Sequence, residues 1–162
     1  MLHAVWRWTK DIEMQIVDEI YDLYPVIHIC SGISGLGDYR LDSQIPIVYD
    51  LKRKDKKTLP PNMKGDMGWL PFKDGIAEAV ISDPPYSMKR YAKEYPKFVS
   101  ELARITKPGG KIIFLCPWVL QHKTLTPSRF WLRPSGETAA MFSYKILSVS
   151  IKTNGQIGDY NN

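Results

Sequence analysis

Four consecutive residues have the most distinctive chemistry in the sequence: Asp83, Pro84, Pro85 and Tyr86. They follow the apolar run 79–82, which predicts that they stand at the carboxyl end of a buried strand. The Asp83 carboxylate can accept an N–H hydrogen bond, and a proline has no N–H of its own, so local carbonyls can accept from a ligand. The Tyr86 ring offers a face for stacking. This combination suits a planar amino group, and we expect all four residues to act at the reacting centre.

Basic and aromatic residues near this segment favour a functional interpretation over an ordinary turn, which Asp-Pro-Pro also forms. Lys89 and Arg90 follow it directly, and Arg129 and Trp131 belong to a second basic group. The net charge of +5 favours a polyanionic partner. Basic and aromatic side chains together bind single-stranded nucleic acid, so we expect these four residues to contact the substrate. Packing in a lid or core is the alternative for Trp131, and the basic block 52–57 is expected to be solvated.

A glycine-rich segment, 31–37, follows the apolar run 26–30. Glycines after a strand let backbone N–H groups approach a ligand closely. Their spacing here differs from the dinucleotide-binding pattern, which argues against NAD and against a phosphate cradle. The segment instead favours an uncharged nucleoside with an amino-acid tail. The residues expected to contact such a cofactor are Cys30, Ser31, Gly32 and Gly35.

Acidic residues at the ends of predicted strands are candidates for holding a nucleoside. Asp50 ends the predicted second strand, 45–49, where a carboxylate can accept both ribose hydroxyls. Asp42 is the alternative ribose ligand if the second strand begins near Tyr39.

The predicted third strand, 63–67, contains a further candidate pair. Its Asp66 can accept from an adenine amine, and Met67 can pack on the ring. Asp50, Asp66 and Asp83 would then all lie at one edge of a sheet.

Alternating helical and strand patterns position these residues. Helical spacing of apolar residues predicts a helix over 11–24, and Pro96 suits the first turn of a second helix. Further strands are predicted at 111–116 and 144–152, whereas the prolines in 117–136 predict mostly loop. The fold class is therefore α/β, with a Rossmann-like, doubly wound, mostly parallel sheet that has helices on both faces. Because little sequence follows 144–152, we expect the last strand to be short or missing.

Composition places further bounds on the function. The length of 162 residues and 44% hydrophobic content predict a single domain, 1–162. No run approaches the ~20 apolar residues of a membrane span, and the first residues lack a secretory pattern, so we expect a cytoplasmic protein without a membrane partner. Cys30 and Cys116 end apolar runs and are expected to be buried thiols. No metal is predicted, since no Cys/His cluster has zinc spacing.

With these residues in place, the sequence resembles the class I S-adenosylmethionine-dependent methyltransferases, specifically the amino-methyltransferases that carry Asp-Pro-Pro-Tyr. The resemblance extends from about Ile27 to Pro117 and includes, in order, the glycine loop, Asp50, Asp66 with 70–74, the segment 83–86, and 102–110 before a strand. The glycine loop departs from the commoner Gly-x-Gly core.

The resemblance implies that S-adenosyl-L-methionine is the cofactor and that Gly32, Asp50 and Asp66 hold it. It also implies that Asp83, Pro84 and Tyr86 hold the target amine, and Lys10 is a candidate neighbour of the methionine end.

The predicted reaction is methyl transfer to an exocyclic amine of a nucleic-acid base, with N6 of adenine in DNA preferred and RNA next. The alternatives are a non-catalytic nucleic-acid-binding subunit and a methyltransferase for proteins or small molecules. No separate target-recognition domain is visible in the sequence, so recognition would come from loops, a homodimer mate or a partner.

Overall fold

A seven-stranded mixed sheet forms the centre of the protein in the computed structural model, which describes residues 8–43, 61–84, 88–134 and 144–154. The strands are β1 (Val26–Ile29), β2 (Tyr39–Asp42), β3 (Met63–Lys64), β4 (Ala77–Ser82), β5 (Thr106–Cys116), β6 (Leu125–Pro134) and β7 (Tyr144–Lys152). Their order is β3-β2-β1-β4-β5-β7-β6. The first five strands are parallel, and β7 lies antiparallel between β5 and β6. The predicted mostly parallel α/β sheet is therefore confirmed.

Two helices cover opposite faces of this sheet, α1 (Lys10–Ile20) and α2 (Met88–Ile105). Ile12 and Ile16 of α1 pack with strand residues such as Ile81 and Ile113 in one buried cluster. Phe98 of α2 belongs to a second cluster that contains the alternate strand residues. Because successive side chains of a strand point to opposite faces, this division follows from the apolar character of the central strands on both faces.

The helix α1 confirms the predicted N-terminal helix, although it ends at Ile20 rather than near residue 24. The helix α2 ends at Ile105, where 107–110 was predicted to interrupt it, but it begins at Met88, well before Pro96. The prediction that Pro96 opens this helix is wrong. A proline inside a helix removes one backbone hydrogen bond, and here the buried side chains that follow it, Phe98, Val99 and Leu102, stabilise the helix by packing.

The strand β6 was not predicted, and the expectation of a short or missing last strand is wrong. Pro127 and Pro134 indicated a loop, yet both belong to this ten-residue strand. The strand lies at the edge of the sheet, where a proline without an N–H disrupts no ladder on the solvent side. The register of β6 also shifts between Pro127 and Arg129, as expected of a bulge.

The strand β2 begins at Tyr39 and ends at Asp42, which is the condition under which Asp42 becomes the candidate ribose ligand. The predicted strand 45–49 and the basic helix at 51–59 lie outside the described residues. Neither α1 nor any other described helix is long and apolar enough to cross a membrane.

Candidate active site

The carboxyl ends of β1 and β4 lie side by side at the centre of the candidate site. Ile29 of β1 pairs with Ser82 of β4, so the residues that follow them, Cys30 and Asp83, leave the sheet together. The strand order reverses here, because β2 lies on one side of β1 and β4 on the other. Such a switch point leaves a crevice at the carboxyl ends of the strands, where open α/β sheets bind ligands.

Three carboxylates converge on this crevice from three strands. Burial raises the pKa of the Cys30 thiol, and the negative charges of Asp42, Asp83 and Asp66 raise it further. These acids stand at or just beyond the ends of β2, β4 and β3. Cys30 is also the one non-glycine residue with positive φ within the described part of the chain, at 58°. A strained backbone with converging acids is characteristic of a functional site.

The Asp83 carboxylate is held by a tryptophan from the N-terminal segment. Its side chain is 8% exposed, and its Oδ2 accepts a hydrogen bond from Nε1 of Trp8 at 2.8 Å. Trp8 is itself buried. A buried carboxylate requires such partners, because an uncompensated charge in a protein interior is strongly unfavourable.

A buried lysine completes the surroundings of Asp83. Lys145 of β7 is 7% exposed, and burial lowers its pKa while the nearby Asp83 carboxylate and Cys116 thiol raise it. The ammonium and the indole N–H both compensate the negative charge at Asp83. The site therefore presents a buried carboxylate with a hydrogen-bond donor, Trp8, and a nearby cation, Lys145.

The first half of the glycine-rich loop forms the other side of the crevice. The backbone N–H of Gly32, with φ of 52°, donates to Oδ2 of Asp42 at 3.0 Å. This contact brings the end of β2 against the loop that follows β1. The hydroxyl of Ser31 is buried and has no hydrogen-bond partner among the described residues. A polar ligand at this loop could satisfy that hydroxyl, so the donors and acceptors here fit a nucleoside with an amino-acid tail.

Asp66 and Met67 follow β3 beside this loop. Oδ1 of Asp66 accepts from the N–H of Gly68 at 2.7 Å, which closes a tight turn on the exposed side of the crevice. Met67 packs against the core cluster that contains Phe98. The predicted adenine contacts of Asp66 and Met67 remain predictions.

Gly35 lies apart from the crevice. It lines an open groove of about 340 Å³ with Val17 and Ile20 of α1 and with Val26, at the amino end of β1. The loop after β1 must return to that end so that β2 can pair in parallel, and the N–H of Asp38 bonds to the carbonyl of Val26. We therefore leave Gly35 out of the proposed cofactor site.

Arg129 and Trp131 lie on the edge strand β6, and their described contacts are with α1 and the core. Arg129 forms an ion pair with Glu19 of α1 at 3.0 Å. Trp131 packs against the core cluster that contains Ile12 and Ile16. Both side chains lie on the face of β6 that is turned toward α1, because β6 extends the sheet on which this helix packs.

Several predicted residues cannot be located by their side chains. Asp50, Pro85 and Tyr86 lie outside the described residues, and so do the side chains of Lys89 and Arg90 at the start of α2. Lys10 is described: it is exposed and opens α1, two residues after Trp8. In the described ranges 8–43, 61–84, 88–134 and 144–154, no group of His, Cys, Asp and Glu could hold a metal ion.

Sequence reasoning did not assign Trp8 or Lys145 to Asp83. The signal for Lys145 was available, since it alternates with Leu147, Val149 and Ile151, and a charge in that apolar series marks a buried site. For Trp8 no periodic pattern exists, because it precedes the helix.

Arg104 of α2 fixes the segment between β3 and β4 that frames this site. Its guanidinium donates to the carbonyls of Leu70 and Phe72, at 3.0 and 2.8 Å, and forms ion pairs with Asp74 and Glu101, both at 2.7 Å. The planar fork of arginine suits several acceptors at once. This network ties the 70–74 segment to the helix that follows Asp83.

The sequence and fold both match known methyltransferases. Residues 43–114 match the family described as the methyltransferase domain. The PH0226 protein of Pyrococcus horikoshii has a similar structure, with a TM-score of 0.60, 14% identity and 88% of each chain covered. No curated protein sequence matches.

Two further solved structures have the same fold. A SAM-dependent methyltransferase of Methanosarcina mazei gives a TM-score of 0.55 at 10% identity, covering 79% of this chain and 92% of that one. The N-methyltransferase NodS of Bradyrhizobium japonicum gives 0.57 at 10% identity, covering 89% and 98%.

Residues 43–114, less than half of the chain, match the methyltransferase domain, and the fold is that of class I S-adenosylmethionine-dependent methyltransferases. The protein is thus an enzyme, and its cofactor is S-adenosylmethionine. The class predicted from the sequence is confirmed, whereas the Asp-Pro-Pro-Tyr amino-methyltransferase type stays a prediction.

Proposed function

We propose that the protein methylates an exocyclic amine of a nucleic-acid base, with N6 of adenine in DNA as the preferred target and an RNA base next. The observation that carries this proposal is the buried Asp83 carboxylate at the carboxyl end of β4, beside the end of β1. An acceptor at this switch point faces the region where the fold binds its ligands. A neutral amine has N–H donors that such a carboxylate can orient.

The cofactor side of the crevice is assigned to residues of the first three strands. Ser31 and Gly32 would hold the amino-acid tail, one of Asp42 and Asp50 the ribose, and Asp66 with Met67 the adenine. When bound, S-adenosylmethionine supplies a methyl group on a sulfonium, which is a good leaving group. The protein therefore has mainly to position the acceptor and align its charges.

Asp83 performs this alignment in the proposed mechanism. Its carboxylate accepts an N–H of the target amine, which turns the nitrogen lone pair out of conjugation with the ring. The Pro84 carbonyl accepts the second N–H, and Tyr86 stacks on the ring. Asp83 need not act as a strong base, because the product nitrogen can lose its proton to water after methylation. A base taken from a duplex must also be flipped out, at a cost of a few kcal/mol.

Charge supports a nucleic-acid substrate over other amines. The chain carries a net charge of +5, and Lys93 and Lys97 of α2 are exposed on the helix that follows the segment 83–86. Backbone phosphates attract such residues. Arg129 and Trp131 are not counted among these residues, because they contact α1.

A small-molecule amine is the second candidate. The Asp83 carboxylate is buried and already bonded to the Trp8 indole, which favours a compact acceptor, and NodS with the same fold is an N-methyltransferase. The two candidates share the role of Asp83 and differ in the size of the acceptor.

Methyl transfer from labelled S-adenosylmethionine distinguishes them. The purified protein is incubated with DNA, RNA and a pool of small amines, and the label is followed into each fraction. We expect label in nucleic acid, recovered as N6-methyladenine after digestion. Label confined to the small-amine pool would replace the first proposal with the second.

A further inference from the structure

The hydrogen bond between Trp8 and Asp83 points to a role for the N-terminal segment in the reaction. Nε1 of Trp8 donates to Oδ2 of Asp83 at 2.8 Å, across 75 positions of sequence, and both residues are buried. Tryptophan can donate only through this nitrogen. The contact therefore fixes both the indole and the carboxylate plane.

Trp8 is itself held by the ring of His28. The two rings are stacked, with centroids 4.8 Å apart and planes inclined by 18°. Nδ1 of His28 lies 3.1 Å from the carbonyl oxygen of Leu36, which accepts a hydrogen bond from the Nδ1–H tautomer. His28 is fully buried, and Nε2 has no partner among the described residues, as expected for the neutral tautomer. The indole thus rests on a ring whose orientation is already fixed.

The Trp8–Asp83 hydrogen bond restricts the terminal side-chain torsion of Asp83. The terminal torsion of an aspartate is broad and roughly two-fold, so an unrestrained carboxylate would turn between several planes. A carboxylate has about four acceptor positions, and the indole N–H takes one of them. The Lys145 ammonium acts on the same carboxylate from β7.

We propose that Trp8 is a positioning residue: its indole N–H, supported by the His28 ring, sets the plane of the Asp83 carboxylate so that its remaining acceptor capacity is directed at the target amine. This inference rests on the proposed function, because it assumes that Asp83 orients an amine. It adds a residue from outside the strand ends to the machinery of transfer. The contacts from Leu36 through His28 and Trp8 to Asp83 also connect the second half of the glycine-rich loop, outside the crevice, to the amine side of the site.

Nuclear magnetic resonance of the full-length ¹⁵N-labelled protein tests the contact without any substrate. The chain has five tryptophans, and the indole signal that disappears in Trp8→Phe belongs to Trp8. Asp83→Asn should move this signal upfield, because a charged acceptor makes a stronger hydrogen bond and deshields the proton more than a neutral amide does. If Trp8→Phe does not fold, the signal is assigned through its proximity to the His28 ring. A Trp8 signal that stays in place in Asp83→Asn overturns the proposal.

Kinetics with labelled S-adenosylmethionine and an adenine-containing single-stranded DNA oligonucleotide test the role. Trp8→Phe preserves a ring against His28 and removes the N–H, so kcat should fall about 10- to 100-fold while KM for the cofactor changes less than about threefold. In the Asp83→Asn background the same substitution should have no further effect, since Trp8 acts through that carboxylate. Wild-type kcat in Trp8→Phe, or fully additive losses in the double variant, would contradict a positioning role.

Trp131→Phe is the matched control. It removes an indole from the same core cluster without touching Asp83, and it should leave the Trp8 signal in place and kcat within about twofold. An equal loss of kcat in Trp131→Phe would assign the effect to packing. If the wild-type protein methylates no nucleic acid, the proposed function fails, while the shift of the Trp8 signal still decides whether the indole holds the carboxylate.

Discussion

Trp8 and Asp83 are joined by a 2.8 Å hydrogen bond between the indole nitrogen and a carboxylate oxygen, although 75 positions separate them in the chain. One residue precedes the first helix, and the other follows the fourth strand. This bond places the N-terminal segment against the residue that we expect to orient the methyl acceptor. Trp8 in turn stacks on His28 of β1.

The ribose of the cofactor provides a first prediction, because two carboxylates compete for its hydroxyls. Asp42 ends β2 and accepts from the loop after β1, so Asp42→Asn should weaken binding of S-adenosylhomocysteine about 10- to 100-fold. The asparagine oxygen can still accept from Gly32, which preserves the loop. Isothermal titration calorimetry measures the affinity.

Asp50→Asn is the comparison for this experiment. Asp50 lies within the matched methyltransferase domain, whereas Asp42 lies just before it. Affinity lost in Asp50→Asn and kept in Asp42→Asn would assign the ribose to Asp50, as the sequence first indicated.

The buried His28 makes stability depend on pH. Burial lowers its pKa from the usual 6.5 to about 4. The unfolded chain therefore binds a proton at this residue as pH falls through 6.5, while the folded chain does so only near 4, and stability is lost across that interval. The loss between neutral pH and about pH 4.5 should be about 2 to 3 kcal/mol, measured by denaturant unfolding.

His28→Phe should flatten this dependence, because phenylalanine does not titrate and can still stack on Trp8. His122→Gln is the control, since His122 is only partly buried and its ring contacts Thr124 rather than Trp8. An unchanged pH dependence in His28→Phe would show that other groups control acid stability.

Arg104 should be irreplaceable by lysine. Its guanidinium contacts two carbonyls and two carboxylates. A lysine ammonium has only three N–H donors at one point and cannot contact all four acceptors at once. Arg104→Lys should lower the free energy of unfolding by roughly 2 to 4 kcal/mol, measured in urea. Arg129→Lys keeps a cation at the exposed end of the pair with Glu19, which Lys111 also neutralises, and should lower it by less than about 1 kcal/mol. Similar losses in both variants would contradict the special role of the 70–74 network.

Much of the fold was readable because the central strands are apolar on both faces. The runs that became β1, β4 and β5 are buried throughout most of their length, so their type and order were clear from the sequence. The strand β6 was missed because it lies at an edge, where prolines are compatible with pairing. Arg129 and Arg133 of β6 form ion pairs with Glu19 and Asp11 of α1, and these partners are distant in sequence.

The sequence predicted the site residues that stand at the ends of strands, but it did not predict the contacts that support them. Asp83 was identified from the residues around it, and the structure places it at the end of β4. Trp8 donates to it from the other end of the domain, and no local pattern specifies such a contact. Spacing alone also does not tell which end of the sheet the loop around Gly35 returns to, or which charge Arg129 of an edge strand meets.

The most direct test of the account compares wild-type protein with Asp83→Ala in two measurements on the same preparations. The first is transfer of labelled methyl from S-adenosylmethionine to nucleic acid, and the second is affinity for S-adenosylhomocysteine. We predict that Asp83→Ala lowers transfer by about 100-fold or more and leaves the affinity within about threefold, because the carboxylate aligns the acceptor and not the cofactor. Transfer at the wild-type rate, or a loss of transfer fully explained by lost cofactor affinity, would contradict it.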